Sequence, residues 1–156
     1  MDLFAKFGFD DTLETKGVWC DLGDGSCLIA RFGNEKHQQT MVELRTAYKK
    51  ELEADTPESQ KLSRDLLIRT LVNTIVLDWK GMSYGGKELP YTPENATKVL
   101  QHREFREWVI GQALNADHYR ATVLEEDLGN SELPSNGSSP GEETSTSSLT
   151  SNEKQA

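Results

Sequence analysis

Residues 17–31, GVWCDLGDGSCLIAR, place two β-rich runs on either side of an Asp-Gly pair. Asp-Gly is favoured in the type I′ turns of two-residue hairpins, so the stretch predicts a β-hairpin whose loop is Asp24-Gly25. The opposed pairs in that register are Leu22 with Cys27, Cys20 with Ile29, and Val18 with Arg31. Because side chains alternate between the two faces of a strand, the apolar residues share one face, which we expect to face the core: Val18, Cys20, Leu22, Cys27 and Ile29.

Helical periodicity begins soon after the hairpin. From Asn34 to about Glu53, apolar residues recur at helical spacing and charged residues lie on the other side, which predicts an amphipathic helix. Thr56-Pro57-Glu58 then combines a capping residue with a proline in the first turn, which is a helix-start signal. The wide apolar face that follows predicts a central helix that runs to Gly81, with Trp79 at its end.

Shorter helical segments follow a Gly-rich loop at residues 81–89. Thr92-Pro93-Glu94 repeats the helix-start signal for a short helix to Leu100. Two further segments are predicted from their apolar residues: one with Phe105, Trp108, Val109 and Ala113, and one with Tyr119, Val123, Leu124 and Leu128. The predicted class is therefore α+β, mostly α, with a small N-terminal β-hairpin packed on about four to five helices.

The composition changes sharply at Leu128/Gly129. Most residues after this point are Ser, Thr, Gly, Pro or Asn, and none is aromatic. Such a segment buries too little apolar surface to offset the entropy of ordering it. We therefore predict one folded domain at residues 1–128 and a disordered acidic tail at residues 129–156.

The negative net charge disfavours two classes of binding partner. The chain has 26 acidic and 17 basic residues, a net charge of -9, which disfavours nucleic acid and anionic membrane surfaces as partners. No secretory signal is expected from residues 1–6, and the longest apolar run is too short to span a bilayer, so an intracellular protein is predicted. Cys20 and Cys27 are the only cysteines, and we expect reduced thiols.

One segment resembles a phosphate-binding loop. Residues 81–88, GMSYGGKE, match the Gly-x4-Gly-Lys part of that motif. However, Glu88 stands where a hydroxyl should bind Mg²⁺, and the segment follows a predicted helix and runs into Pro90. We predict a plain connecting turn and no nucleotide.

Other catalytic or metal-binding patterns are equally incomplete. Cys20 and Cys27 would need two more zinc ligands, and the available histidines lie in three separate segments: His37, His102 and His118. Asp21, Asp24 and Gly25 lack the remaining ligands of a calcium loop and are explained by the hairpin turn. No local nucleophile signature occurs. No catalytic residue, metal site or cofactor is predicted, and an enzyme is not expected.

Four aromatic residues remain as candidate partner-binding residues: Trp79, Tyr84, Tyr91 and Trp108. Large rings are usually buried in the core. Rings with a polar group on a loop also serve as interface anchors. The helix faces and the segment from Trp79 to Tyr91 are therefore the predicted surface for partner contact.

Several short blocks, in this order, resemble the tail assembly chaperone family of long-tailed bacteriophages over residues 1–130. The blocks are Asp2-Leu3-Phe4, Gly17-Val18-Trp19, residues 22–25, Ala30-Arg31, Val76 to Gly81, Leu89 to Asn95, Tyr119-Arg120 and Leu124 to Asp127. The most telling are Asp78-Trp79-Lys80-Gly81 and the Pro90-Tyr91 turn. Tyr84-Gly85-Gly86 departs from the acidic Asp-Gly turn of that family.

The resemblance implies a non-enzymatic helper in the host bacterial cytoplasm that is not expected in the mature virion. Proteins of that family bind the tape-measure protein, prevent its apolar stripes from aggregating, and help recruit the tail-tube protein. Self-association is left open. The alternative from another class is a structural virion component, either a tail or a connector subunit, because small acidic α+β proteins also serve there.

Overall fold

The computed structural model describes residues 1–121, so the predicted boundary at residue 128 and the predicted tail at residues 129–156 lie outside the described residues. The described residues divide into two units, one of Met1–Gly8 with Ala121, and one of Phe9–Arg120. The first unit contains helix α1 (Leu3–Phe7), whose first backbone N–H groups are capped by the carboxylate of Asp2.

The second unit holds the rest of the regular structure. Its elements are α2 (Asp11–Lys16), β1 (Val18–Asp21), β2 (Ser26–Ile29), α3 (Glu35–Ala47), α4 (Lys49–Glu53), α5 (Pro57–Thr74), β3 (Val76–Lys80), β4 (Ser83–Tyr84), β5 (Lys87–Glu88), α6 (Pro93–Val99), α7 (Arg103–Leu114) and a 3-10 helix (Ala116–Tyr119). The predicted α+β, mostly α class is confirmed. Residues 1–121 contain seven α-helices because α1 and α2 precede the hairpin and the first amphipathic helix is divided at Tyr48.

The predicted N-terminal hairpin forms, but its register is shifted by two residues. Cys20 pairs with Cys27 and Val18 with Ile29, so the loop has four residues, not two. The backbone N–H of Leu22 donates to the carbonyl of Gly25 within this loop at 2.7 Å. A shift of two residues keeps each side chain on its face. Cys20, Cys27 and Ile29 are buried as predicted, whereas Leu22 is 39 % exposed because it belongs to the turn.

The predicted central helix ends earlier than expected. It begins as predicted, with a reciprocal capping box between Thr56 and Ser59 and Pro57 in the first turn. It then stops at Thr74, and residues 76–80 form β3, which pairs antiparallel with β2 in a sheet of order β1-β2-β3. Trp79 is therefore a strand residue, not the last residue of a helix.

The segment predicted as a connecting loop contains a second, two-stranded hairpin. β4 and β5 are joined by Gly85 and Gly86, whose φ values are both positive, at +61° and +83°. Positive φ at both central residues is the requirement of a type I′ turn. The short turn predicted at Asp24-Gly25 thus occurs at Gly85-Gly86 instead.

The core lies between the sheet, α5 and the C-terminal helices. Its buried apolar residues include Cys27, Ile29, Ile68, Leu71, Ile75, Val76, Trp79, Leu100 and Val109. Tyr119 is also fully buried, and its hydroxyl donates to the carbonyl of Ile29 at 3.0 Å. Next to this strand end, the backbone N–H of Phe32 donates to Ala113 in α7 at 2.9 Å. These bonds fix the sheet and α7 relative to each other.

Within residues 1–121, no helix is both long and apolar enough to cross a lipid bilayer.

Candidate functional site

Two of the four predicted partner-binding aromatics contact each other, and one of them is buried. Trp79 is 5 % exposed, and its indole Nε1–H donates to the carbonyl of Leu89 at 2.7 Å. The ring of the half-buried Tyr91 meets the indole edge-on at 5.2 Å, and its hydroxyl donates to the carbonyl of Val76, also at 2.7 Å. Burial raises the pKa of the Tyr91 phenol, which stays neutral. Both rings close the connection from β3 to α6 onto the sheet.

Tyr84 and Trp108 have other aromatic partners. Tyr84 is 39 % exposed at the end of β4, and its hydroxyl shares a 2.7 Å hydrogen bond with Nε2 of His102. The Lys98 ammonium lies 5.0 Å from the Tyr84 ring centre. Trp108, on α7, is half-buried and stacks on Phe105 at 6.0 Å between ring centres. Partner binding by the four aromatics stays a prediction.

A groove between α3, α4 and α5 forms a concave, largely apolar surface on the second unit. Its volume is about 520 Å³. Six apolar side chains line it, and all six are half-buried: Phe32, Met41, Leu44, Leu52, Leu66 and Leu67. We call this surface the α3–α5 groove.

Three arginines and no acidic residue contribute to the lining of the α3–α5 groove. Arg45 and Arg64 are exposed, on α3 and α5, and neither forms an ion pair within residues 1–121. Arg106, on α7, is fixed by hydrogen bonds from Nη1 to the carbonyls of Leu100 and Gln101 at 2.8 and 3.2 Å. The groove is therefore a cationic, apolar surface on an acidic protein.

The sequence identified the helices but not the groove between them. Met41, Leu44 and Leu52 lie within the first predicted helix, and Leu66 and Leu67 lie within the second. Helical spacing alone does not tell which of these side chains fill the core and which stay partly open to solvent. The available signal is an arginine beside the apolar stripe on each helix, at Arg45 and Arg64.

The cysteines have the properties of buried structural thiols. They are free, buried, and directly opposed across β1 and β2. Burial raises the pKa of both thiols, that of Cys27 to about 12 with a further contribution from Cys20. A thiol with so high a pKa is a poor nucleophile at neutral pH. No group of three or more metal-binding side chains occurs within the part of the chain that the structure describes.

The segment with the partial phosphate-loop pattern has a different local structure from that motif. It follows strand β3, not a helix as predicted from sequence, and Lys87 and Glu88 form strand β5. A phosphate-binding loop needs successive backbone N–H groups that lead into a helix N-terminus. Residues 81–88 instead turn back as a hairpin, so they do not build such a cradle.

Comparison with known proteins gives one family. The family model described as YdaY prophage protein matches residues 32–130, well over half of the chain. The match includes all elements that line the α3–α5 groove. No curated protein matches the chain, and neither does any solved structure.

Proposed function

We propose that this chain, which belongs to the YdaY prophage protein family and is therefore phage-derived, acts as a tail assembly chaperone. In this role it is non-enzymatic and works in the host bacterial cytoplasm. It binds the tape-measure protein, shields the apolar stripes of that long helical chain, and helps bring tail-tube subunits to it.

The observation that carries the proposal is the α3–α5 groove. A groove between helices with half-buried apolar side chains suits the apolar face of a partner helix. Many such contacts along one long helical chain add up through avidity, even when each contact is weak. The negative net charge favours solubility at the copy number that coating requires.

A second support comes from where the residues that resemble tail assembly chaperones lie in the fold. Trp79 and Leu89, from two separate blocks, are hydrogen-bonded to each other. Tyr91 and Val76 join the same two blocks. Two of the blocks thus hold the sheet and the β3–α6 connection together, which favours a shared framework.

Co-expression with the tape-measure protein of the same prophage tests the proposal. We expect this chain to raise the soluble fraction of the tape-measure protein and to co-purify with it. An unrelated acidic protein of similar size is the control for a general effect of expression. If solubility is unchanged and no complex is recovered, the chaperone function is wrong.

The alternative is a structural virion component, either a tail or a connector subunit. It is favoured by the same features of size, acidity and α+β class. Mass spectrometry of purified particles separates the two functions. A chaperone is absent from mature virions, whereas a structural subunit is present in stoichiometric amount.

A further inference from the structure

We propose that the α3–α5 groove binds an amphipathic helix that carries Asp or Glu beside its apolar stripe. The inference rests on the proposed function, because it assigns the surface and the side-chain chemistry by which the chaperone would recognise its helical partner. It also gives that surface a charge preference that the function alone does not require.

The apolar part of the inference follows from the lining of the groove. Met41 and Leu44 on α3 face Leu66 and Leu67 on α5, and all four are half-buried. Apolar side chains that remain partly hydrated gain free energy when a partner covers them, about 25 cal/mol per Å² of apolar area. A volume of about 520 Å³ lies within the range of specific binding pockets, so the groove can take several large side chains of a helix.

An extended occupant fits this surface, because a second depression adjoins the groove. A neighbouring depression of about 460 Å³ shares lining residues with it and lies towards the α4–α5 connection. The shared residues are Arg45, Leu52, Gln60 and Ser63. A helix that follows the two depressions contacts both, whereas a compact ligand would fill only one.

Charge complementarity selects an acidic partner helix. Arg45 and Arg64 are exposed beside the apolar lining, and Arg106 is held in place by two backbone carbonyls. Three positive charges without an acidic neighbour in the lining form a local cationic surface, although the chain has a net charge of -9. Opposite charges around an apolar contact fix the register of the bound helix and disfavour helices that carry positive charge there.

The neighbouring depression indicates where along the contact the acidic side chains of the partner bind. Its lining adds Lys49 but also Glu53 and Asp55, so the two signs nearly balance there. The acidic side chains of the partner are therefore expected opposite Arg45, Arg64 and Arg106, and not along the whole contact.

The test uses the full chain and three synthetic helical peptides of about 20 residues, a length at which helices begin to be stable in water. The first peptide carries Leu at i, i+3, i+4 and i+7 with Glu at the flanking positions. The second has Lys in place of every Glu, and the third has Ala in place of every Leu. Fluorescence anisotropy measures the dissociation constant of each labelled peptide.

The protein variant is Arg45→Glu/Arg64→Glu, and Lys36→Glu/Arg69→Glu is its matched control. Both pairs change one exposed cation on α3 and one on α5, but neither Lys36 nor Arg69 lines the groove. We expect saturable binding of the acidic peptide, weakened about tenfold or more by Arg45→Glu/Arg64→Glu and retained by the control. The same variant should gain affinity for the lysine peptide. Circular dichroism verifies folding, and Arg45→Gln/Arg64→Gln replaces the reversal if that variant unfolds.

The inference is overturned by any of three results. They are no binding of the acidic peptide, equal binding of it by both double variants, and equal binding of the acidic and lysine peptides by the unmodified protein. Co-purification of the tape-measure protein separates this failure from that of the proposed function. Retention of that protein by Arg45→Glu/Arg64→Glu at the unmodified level contradicts the groove alone, whereas no retention by the unmodified chain contradicts only the chaperone function.

Discussion

His37 is a buried histidine, 2 % exposed, at the start of α3. Its Nδ1 accepts a hydrogen bond from the backbone N–H of Gly33 at 3.3 Å, so the neutral ring carries its proton on Nε2. That nitrogen is buried and has no hydrogen-bond partner within residues 1–121. Burial lowers the pKa of His37 below its ordinary value of 6.5. The folded state therefore resists the positive charge that the unfolded state accepts.

A pH dependence of stability follows from this lowered pKa. As the pH falls below about 6.5, the unfolded state binds a proton that the folded state does not, so stability is full above this pH and is lost below it. One such proton changes the free energy of unfolding by at most about 1.4 kcal/mol per pH unit. Urea denaturation at pH 7, 6 and 5 measures the effect.

Two variants isolate His37 in that experiment. His37→Asn keeps an oxygen acceptor near Gly33 and removes the titrating ring, so it should flatten the stability profile between pH 7 and 5. His102→Asn, at an exposed histidine, is the control for loss of a histidine side chain. A His37→Asn profile as steep as that of the unmodified protein would assign the pH dependence to other groups.

Gly81 combines a positive φ with a close backbone contact. Its φ is +71°, and a Cβ there would lie 2.8 Å from the carbonyl oxygen of Asp24. Gly85 has a similar φ of +61° but no atom within 4 Å of its Cβ position. Gly85→Ala should cost about 1 kcal/mol for the backbone conformation alone, and Gly81→Ala at least twice as much. Thermal unfolding measures the midpoint of each variant. Equal midpoints would show that the turn at residues 22–25 can move away from the added Cβ at low energetic cost.

At the scale of elements, the sequence predicts what local patterns specify. Thr56-Pro57 and Thr92-Pro93 start helices as expected, because a cap and a first-turn proline act within one turn. β3 was missed because Leu71, Val72, Ile75, Val76 and Trp79 continue a helical spacing without a Gly or Pro at residue 75. The pairing of β3 with β2 joins residues about 50 positions apart, and no local pattern contains that contact.

The candidate site also combines features that local sequence patterns specify with features that only tertiary packing determines. The aromatic residues are conspicuous in the sequence, but burial depends on tertiary packing, which places Trp79 inside and leaves Tyr84 exposed. The α3–α5 groove depends on how far α3 and α4 pack from α5, which helical spacing does not specify. The apolar helix faces were therefore predictable, whereas the groove and its three arginines required the structure.

The contrast between Trp79 and Tyr84 gives a prediction for β3 and β4. Trp79→Ala removes a large buried ring and leaves the carbonyl of Leu89 without its donor, so it should lower the free energy of unfolding by about 3–5 kcal/mol. Tyr84→Ala should cost less than about 1 kcal/mol, since the ring is exposed. Chemical denaturation compares the two. Because it leaves the fold intact, Tyr84→Ala is also the informative variant for partner binding, and a loss as large as that of Trp79→Ala would contradict its surface position.

At the scale of the whole molecule, the local and net charges have opposite signs. Residues 129–156 contain four acidic residues and one lysine, whereas the α3–α5 groove contains three arginines. Long-range repulsion from the net charge opposes the approach of an acidic helix, and short-range attraction at the groove favours it. Salt screens the long-range repulsion beyond about one Debye length, which is roughly 10 Å at 0.1 M. It screens the short-range attraction at the groove less.

Removal of residues 131–156 tests both the composition of that segment and this charge balance. Its residues contain too little apolar surface to contribute to a core, so the free energy of unfolding should change by less than about 0.5 kcal/mol. Loss of its negative charge should strengthen binding of the acidic peptide at low salt, and the difference should vanish near 1 M salt.

A full-length variant with Gln at Glu132, Glu142, Glu143 and Glu153 removes the acidic charge but keeps the length, and it should show the same affinity gain. If only the truncated chain gains affinity, the segment acts by occupying space, and if the truncated chain unfolds, the predicted domain boundary is wrong.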